Sequence, residues 1–375
     1  MIQGRSTSIK VLMTADTVGG VWTYSLDLAR ALGREGARVT LATMGGAPST
    51  SQREDARGIP SLELHTSEYR LPWMERPWED VRAAGGWLQE LASHVQPDVI
   101  HLNEPVHAGL HWNVPVIAVG HSCVLSWWDA VRGEPAPASW DRYRAAMARG
   151  FAGADAVVAP SKWMLQQLRR HYGVRSGQVI LNGREPNPNG FASKSALIFA
   201  AGRIWDAAKN LMVLDEVAKG LAWPIYLAGE SRDPVKQTLL AARHLQLLGK
   251  LSGTDVTAWL SQASIYAFPA LYEPFGLSVL EAALAGCALV LGDIPTLREQ
   301  WDGRAVFVRP DDPDTLRLAL NWLIEDRDLR NALAMRAQRH ALTLTARRMA
   351  LGYLGLYSEL LTRPKRSSEV PACAL

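Results

Sequence analysis

The sequence predicts an α/β protein made of two doubly wound parallel sheets that face each other across a cleft. Three observations predict it. Short, continuous apolar runs alternate with amphipathic stretches along most of the chain, and strands apolar on both faces, separated by helices, belong to parallel sheets covered on both sides. The alternation occurs twice. Between the two series lies Asn182-Gly183-Arg184-Glu185-Pro186-Asn187-Pro188-Asn189-Gly190, rich in turn formers and poor in apolar residues, as a domain connection is.

Taken in order, residues 1–182 form the first domain. Its strands are expected near Ile9–Ala15, Arg38–Thr43, Asp98–Leu102, Val114–Gly120, Ala156–Pro160 and Val179–Leu181. Helical periodicity fills the gaps; Val21, Ser25, Leu28, Ala29 and Leu32 share one face of the first helix. Residues 183–345 form the second domain, with strands expected near Ala196–Ala200, Pro224–Ala228, Leu245–Leu248, Ile265–Phe268, Ala288–Leu291 and Ala305–Val308. A helical stretch covers about 346–363, and residues 364–375 lack periodicity and read as a disordered tail. Ligands of such sheets bind beyond the carboxyl ends of the strands, so the site is expected in the cleft between the domains.

Composition narrows the function. A chain of 375 residues supports two cores. A formal charge of +3, with no basic stripe interleaved with aromatics, argues against a nucleic-acid binder. Cys123, Cys287 and Cys373 are too scattered for a disulfide framework or a zinc knuckle. The polar start, Met1 to Lys10, has no apolar core of signal-peptide type, and the longest apolar stretch, Val279 to Gly292, carries Glu281 and is too short to span a bilayer. The expected compartment is cytoplasmic.

The segment Tyr272-Glu273-Pro274-Phe275-Gly276-Leu277-Ser278-Val279-Leu280-Glu281-Ala282 is the most informative. It sets two carboxylates eight residues apart, Glu273 in a loop after an apolar run and Glu281 inside the following helix. Pro274 and Gly276 shape a tight strand-to-helix turn. A helix start carries unpaired amides and partial positive charge and so receives phosphate, while carboxylates accept hydrogen bonds from sugar and ribose hydroxyls. One segment can thus hold a phosphate and two polyols, which is the need of a nucleotide-sugar enzyme.

This segment resembles the glutamate-pair motif of the retaining glycosyltransferases of family 4 (glycosyl transferases group 1), and further motifs in matching order extend the resemblance from about Lys10 to about Leu361. It implies the GT-B fold, with two Rossmann-like domains and the final helix packed back on the first. It also implies a retaining, metal-independent transfer of a sugar from a UDP-, GDP- or ADP-linked donor to a saccharide, a lipid-linked glycan or a small molecule, with no cofactor and no nucleic acid.

Residue by residue, Gly202-Arg203-Ile204-Trp205-Asp206-Ala207-Ala208-Lys209-Asn210 resembles the family's diphosphate loop, so Arg203 and Lys209 are expected to neutralise the leaving diphosphate in place of a metal. Gly19-Gly20 resembles the first loop beneath the donor phosphates, and glycine there lets backbone amides approach a ligand. His121, in Gly120-His121-Ser122, resembles the histidine that hydrogen-bonds a donor-sugar hydroxyl. Glu273 is expected beside the donor sugar and Glu281 on the ribose, with the amides of Phe275, Gly276 and Leu277 on sugar or phosphate. Gly249, Lys250 and Leu251 resemble the segment that touches the nucleobase.

The acceptor side is read from residues alone. Trp127, Trp128, Trp140 and Tyr143 flank Gly133, Pro135 and Pro137, and the region reads as an aromatic loop or lid suited to sugar stacking or lipid contact. Asn103, after a strand end, is a further acceptor candidate. Asp311-Asp312-Pro313-Asp314 reads as a turn and helix cap rather than a metal site. Arg330, Arg336, Arg339, Arg347 and Arg348 read as solvated faces, or as a peripheral docking surface at the inner membrane face if the acceptor is lipid-linked. Two rivals stand beside transfer: a sugar-nucleotide epimerase or hydrolase of the same fold, and a non-catalytic nucleotide-sugar-binding or scaffold protein. Arg203, Lys209, Glu273 and Glu281 in one chain favour transfer.

Overall fold

A computed structural model describes residues 8–186, 193–232 and 241–363. Residues 1–7, residues 187–192 with the end of the Pro/Asn-rich connection, residues 233–240 and the tail 364–375 with Cys373 therefore lie outside the described residues. Two wholly parallel sheets carry the fold. The first contains β1 (Lys10–Asp16), β2 (Arg38–Met44), β3 (Leu62–Thr66), β4 (Val99–Leu102), β5 (Val116–Val119), β6 (Ala156–Ala159) and β7 (Gln178–Val179), in the order β3-β2-β1-β4-β5-β6-β7. The second contains β8 (Ser195–Ala201), β9 (Ile225–Ala228), β10 (Gln246–Gly249), β11 (Ala263–Phe268), β12 (Ala288–Gly292) and β13 (Val306–Val308), in the order β10-β9-β8-β11-β12-β13.

The apolar runs became central strands because they are buried on both faces: every residue of β4, β5, β11 and β12 is buried. The strand β3 is absent from the sequence-based expectation. Its side chains alternate Leu62 and Leu64 with Glu63 and His65, and it lies at the sheet edge, where one face stays wet. A search for continuous apolar runs passes over such a strand.

Helices cover both faces. In the first domain they are α1 (Gly20–Arg34), α2 (Thr50–Arg57), α3 (Trp78–Val95), α4 (Val124–Arg132), α5 (Asp141–Gly153) and α6 (Lys162–Tyr172). In the second they are α7 (Val213–Ala218), α8 (Gly253–Gln262), α9 (Leu277–Leu284), α10 (Pro295–Trp301), α11 (Pro313–Glu325) and α12 (Arg327–Ala341). The Asp312 carboxylate caps α11 by accepting from the Thr315 amide at 3.0 Å. The last helix, α13 (Ala346–Thr362), buries Met349, Ala350, Tyr353, Leu356, Tyr357 and Leu360 in the core of the first domain, against α1. A cavity of about 1300 Å³ lies between the amino ends of β1–β3 and α3, at the opposite end of the first sheet from the cleft.

The aromatic lid is corrected. Trp127 and Trp128 sit on the helix α4, whose N-terminus is capped by Cys123 Sγ accepting from the Ser126 amide and whose C-terminus ends at Gly133 in a left-handed conformation (φ +69°). Tyr143 is buried in α5, and Trp140 closes the short 3₁₀ turn Ala138–Trp140 that leads into it. Loop structure is confined to the few residues from Gly133 to Pro137, because Val124–Arg132 contains no helix breaker and Gly133 supplies a C-terminal stop.

Among the described residues, polar contacts join the domains on both sides of the cleft. The Tyr272 phenol oxygen accepts from the Cys123 amide at 3.1 Å and lies 3.0 Å from Ser126 Oγ. Ser161 Oγ donates to the Pro274 carbonyl at 3.0 Å. The Glu299 carboxylate accepts the Lys162 and Trp163 amides at 2.8 and 3.0 Å, so a side chain of α10 neutralises the N-terminus of α6 in the other domain. On the far side, Arg184 links Asp27 on α1 with Glu281 on α9.

Candidate active site

The cleft is lined by the carboxyl ends of β1, β4 and β5 from one sheet and β8 and β11 from the other. On the second domain, the chain leaves β8 at Ala201 and forms the 3₁₀ turn Ala207–Lys209. Asp206 organises this loop: one carboxylate oxygen accepts from the Ala208 amide at 3.0 Å and the other takes Arg203 Nη2 at 2.8 Å. Asn210 adopts φ +52°, and its Nδ2 donates to the carbonyls of Pro269 and Pro310 at 3.1 and 2.7 Å, which fixes the turn against β11. Lys209 Nζ then reaches Glu273 Oε2 at 2.7 Å, with both side chains 15% exposed.

Glu273 also bends back on its own loop. Its Oε1 accepts from the amides of Phe275 at 3.3 Å and Gly276 at 3.0 Å. Those two amides, expected on the donor, are thus engaged by the carboxylate, and the Phe275 ring is buried in the domain core. Gly276 has φ +92° and caps α9 without a side-chain hydrogen bond. A Cβ there would be strained whatever the space.

From the first domain, Gly19 caps α1, again without a side-chain hydrogen bond. Asp16 Oδ1 accepts from the Val18 and Gly19 amides, each at 2.9 Å, and shapes the turn. A Cβ added at Gly19 would lie 3.3 Å from Arg203 Nη1, and one at Gly20 would lie 3.6 Å from Leu277 Cδ1. The N-termini of α1 and α9 and the Arg203 guanidinium therefore converge from two domains, each of them met by a carboxylate: Asp16, Glu273 and Asp206 respectively. Gly202 sits tightly under Leu211 at the root of the same loop, where an added Cβ would lie 3.1 Å from Leu211 Cδ1. Gly249 ends β10 and Lys250 and Leu251 follow it, two strand positions from β8, and the Gly229 amide donates to the Gly249 carbonyl at 2.8 Å.

Two family models match this chain. The glycosyltransferase family 4 model matches residues 18–187, and the model for glycosyl transferases group 1 matches residues 183–340. The chain belongs to the family 4 glycosyltransferases. It is 33% identical to the D-inositol 3-phosphate glycosyltransferase of Salinispora arenicola over 35% of this chain and 30% of that protein. The match thus spans under a third of that relative. A D-inositol 3-phosphate glycosyltransferase of Corynebacterium diphtheriae matches over 87% of this chain and 86% of its own length at 22% identity. Among solved structures, HepE of Anabaena in complex with UDP and glucose superposes with a TM-score of 0.72 at 18% identity, over 94% of this chain and all of that one. The fold is GT-B.

The first-domain wall of this family 4 site is a buried hydrogen-bond network. His121 Nε2 lies 2.7 Å from Asn103 Oδ1, and its ring packs edge-on against Tyr24 at 4.4 Å. Asn103 Nδ2 donates to the Thr14 carbonyl at 2.7 Å and to Ser25 Oγ at 3.2 Å. That orientation makes Oδ1 the acceptor, so His121 carries its proton on Nε2. His101 Nε2 shares Asn103 Oδ1 at 3.2 Å, and its Nδ1 lies 2.7 Å from Tyr357 Oη on α13. Asn103 has every polar side-chain atom engaged inside the domain, which takes it away from direct acceptor contact. Burial, with the neighbouring His101, holds His121 neutral down to about pH 3. With its one proton on Nε2 and given to Asn103, neutral His121 has only Nδ1 left, as an acceptor.

Glu104, beyond Asn103, has its carboxyl pushed up to about 8 by burial and by the nearby Asp16. The segments that carry His121 and Glu273 meet through their neighbours, with Ser122 Oγ 3.3 Å from Tyr272 Oη. The helix α4, with Arg132 over Trp127 and Trp128 at 5.8 and 5.9 Å, packs against the Ala207–Lys209 turn. Sequence reading missed Asp16, Asp206, Asn210 and Arg184, which hold the named residues in place. Asp206 and Asn210 lie inside the quoted loop motif and are legible there as a side-chain cap and a left-handed residue. Among the described residues, no cluster of three or more His, Cys, Asp or Glu side chains is arranged to hold a metal ion, and no helix is long and apolar enough to cross a membrane.

Proposed function

We propose that this chain transfers a sugar from a nucleoside-diphosphate sugar to an acceptor hydroxyl, with retention at the anomeric carbon and without a metal. The observation that carries the reading is the convergence of Arg203, the Gly19–Gly20 turn and the start of α9 on one point of the cleft, beside the Lys209–Glu273 pair. The diphosphate would lie across the two helix N-termini. Arg203 and Lys209 would meet the charge that develops as the bond from the anomeric carbon to the phosphate oxygen breaks. The acceptor oxygen attacks from the face the diphosphate leaves, and its proton passes to the departing phosphate oxygen. Neutral His121 would hold a donor-sugar hydroxyl, and Glu281 the ribose. A preorganised donor of this kind contributes about 3–4 kcal/mol to the barrier reduction. Closure of the two domains, joined by Tyr272, Ser161 and Glu299, would keep water from the donor.

The UDP-bound neighbour and the inositol-phosphate relatives support a nucleotide donor and a polyol or lipid-linked acceptor, with peripheral membrane contact in the latter case. A thermal-shift screen of UDP-, GDP-, ADP- and dTDP-sugars, with and without EDTA, tests the donor and the metal together. Selective stabilisation by one nucleotide, unchanged by EDTA, is the expected result. No shift with any nucleotide, or a shift abolished by EDTA, would overturn it. Proton NMR of the first product reads the anomeric outcome.

A further inference from the structure

Glu281 does not stand free in the cleft. Its Oε1 accepts from Arg184 Nη1, and Arg184 Nε makes an ion pair with Asp27 Oδ2 at 3.0 Å. Asp27 Oδ1 in turn receives Arg30 Nη1 at 3.2 Å. The result is an alternating row, Arg30–Asp27–Arg184–Glu281, with no net charge. It runs from α1 in the first domain, through the connection, to α9 in the second.

The backbone of Arg184 is fixed independently. Its amide donates to the Leu344 carbonyl at 3.0 Å. A Cβ at the preceding Gly183 would fall 2.1 Å from the Thr345 carbonyl oxygen, so only glycine lets the connection run this close to the start of α13. The three charged side chains at the bridge are mostly withdrawn from solvent, with exposures of 25% for Arg184, 13% for Asp27 and 24% for Glu281. A guanidinium is a rigid planar fork, and a carboxylate bonded to it through one oxygen has its plane set while the other oxygen remains an acceptor.

We propose that Arg184 is a positioning residue for the donor ribose: it takes Glu281 Oε1, leaves Oε2 to the ribose hydroxyls, and through Asp27 ties that presentation to the relative placement of the two domains. This rests on the reading of Glu281 as the ribose-binding carboxylate. The bridge makes ribose recognition a property of both domains, although the ribose-binding carboxylate belongs to only one.

The test measures affinity by titration calorimetry for UDP, GDP and ADP, and for the 2′,3′-dideoxy counterpart of whichever binds. It compares the full wild-type chain with Arg184→Ala, Arg184→Lys and Asp27→Asn. Wild type is expected to favour the ribose form at least about tenfold. In Arg184→Ala that ratio collapses to within about twofold, with dideoxy affinity unchanged; Arg184→Lys and Asp27→Asn fall between. A purely structural role would lower the melting temperature and weaken both nucleotides equally, and that result overturns the proposal. So does a wild-type ratio in Arg184→Ala, which leaves the ribose role of Glu281 intact. If wild type itself shows no preference, the Glu281 reading fails and the proposal with it; if no nucleoside diphosphate binds, the donor reading fails first. Should Arg184→Ala not fold, Arg184→Lys and Asp27→Asn carry the comparison.

Discussion

The two walls of the cleft are built on opposite principles. The second-domain wall is a set of charged pairs drawn mainly from two short segments, residues 202–210 and 273–281: Arg203 is held by Asp206 and Glu273 by the amides of Phe275 and Gly276, each a few residues away, while Lys209 joins the two segments through Glu273 and Glu281 is reached by Arg184 from outside them. The first-domain wall is a neutral network assembled from distant parts of the chain: Thr14, Tyr24, Ser25, His101, Asn103, His121 and Tyr357. Local charged motifs move with their loop and can be rearranged by a ligand. A buried neutral network cannot be disturbed without leaving polar groups unpaired. The difference assigns charge handling to one wall and rigid shape to the other.

The largest effect that would break this division is on Lys209. Lys209→Ala is expected to lower turnover by about 10²- to 10³-fold. The urea midpoint should move little, because Glu273 keeps its two amide hydrogen bonds when its cation is removed. Steady-state rates with the nucleotide sugar found by thermal shift, together with urea unfolding, check both halves of the statement. Unchanged turnover would remove Lys209 from the diphosphate site.

The same contrast explains what can be read from the sequence. The central strands are legible because full burial leaves a continuous apolar run, as in β11 and β12, whereas the half-wet edge strand β3 leaves only Leu62 and Leu64 as a signal. On the second-domain wall, Arg203, Lys209, Glu273 and Gly276 lie in segments short enough to be seen as units. The first-domain wall has no such record: Tyr357 reaches His101 across 256 residues, and no local pattern encodes that meeting. Trp127 and Trp128 read as loop residues because Gly133, Pro135 and Pro137 dominate the composition nearby, yet all three follow the helix rather than interrupt it. Arg184 reads as part of a turn-rich connection, since its two carboxylate partners belong to separate domains.

A second prediction uses acid to separate the walls. Burial depresses the imidazole of His101 to about 3 and that of His107 to about 4, both in the first domain. In the unfolded chain a histidine titrates near 6.5. Below that pH the unfolded state binds protons that the folded state refuses, so stability is full above 6.5 and is lost as pH falls toward 4. His121, also held neutral, loses in the same way, while the raised Glu104 carboxyl takes up a proton in the folded state over this range and opposes the loss. At pH 5.5 the three imidazoles together cost up to about 4 kcal/mol and Glu104 offsets about 2 kcal/mol of it. A urea midpoint that falls between pH 7.5 and 5.5, while the three buried imidazole resonances stay fixed in NMR, is the expected pair of observations. Resonances that titrate near 6.5 in the folded protein would show that the network is not dry.

The smallest and most selective effect concerns Asn103. Its amide faces both imidazoles, since Nδ2 is committed to Thr14 and Ser25 and Oδ1 lies between His101 and His121. Asn103→Leu removes all of these at once with little change of volume and leaves buried polar atoms unpaired, at a cost of about 2 kcal/mol. Asn103→Asp keeps Oδ1 but loses the donor, and its carboxylate favours protonated imidazoles, so it should raise the His121 pKa and weaken the acid dependence near pH 6. Nucleotide affinity, a property of the other wall, should be the same in both variants as in wild type. If Asn103→Leu instead weakens nucleoside-diphosphate binding while leaving the urea midpoint in place, the network is part of the donor site and the division between a charged wall and a neutral one fails.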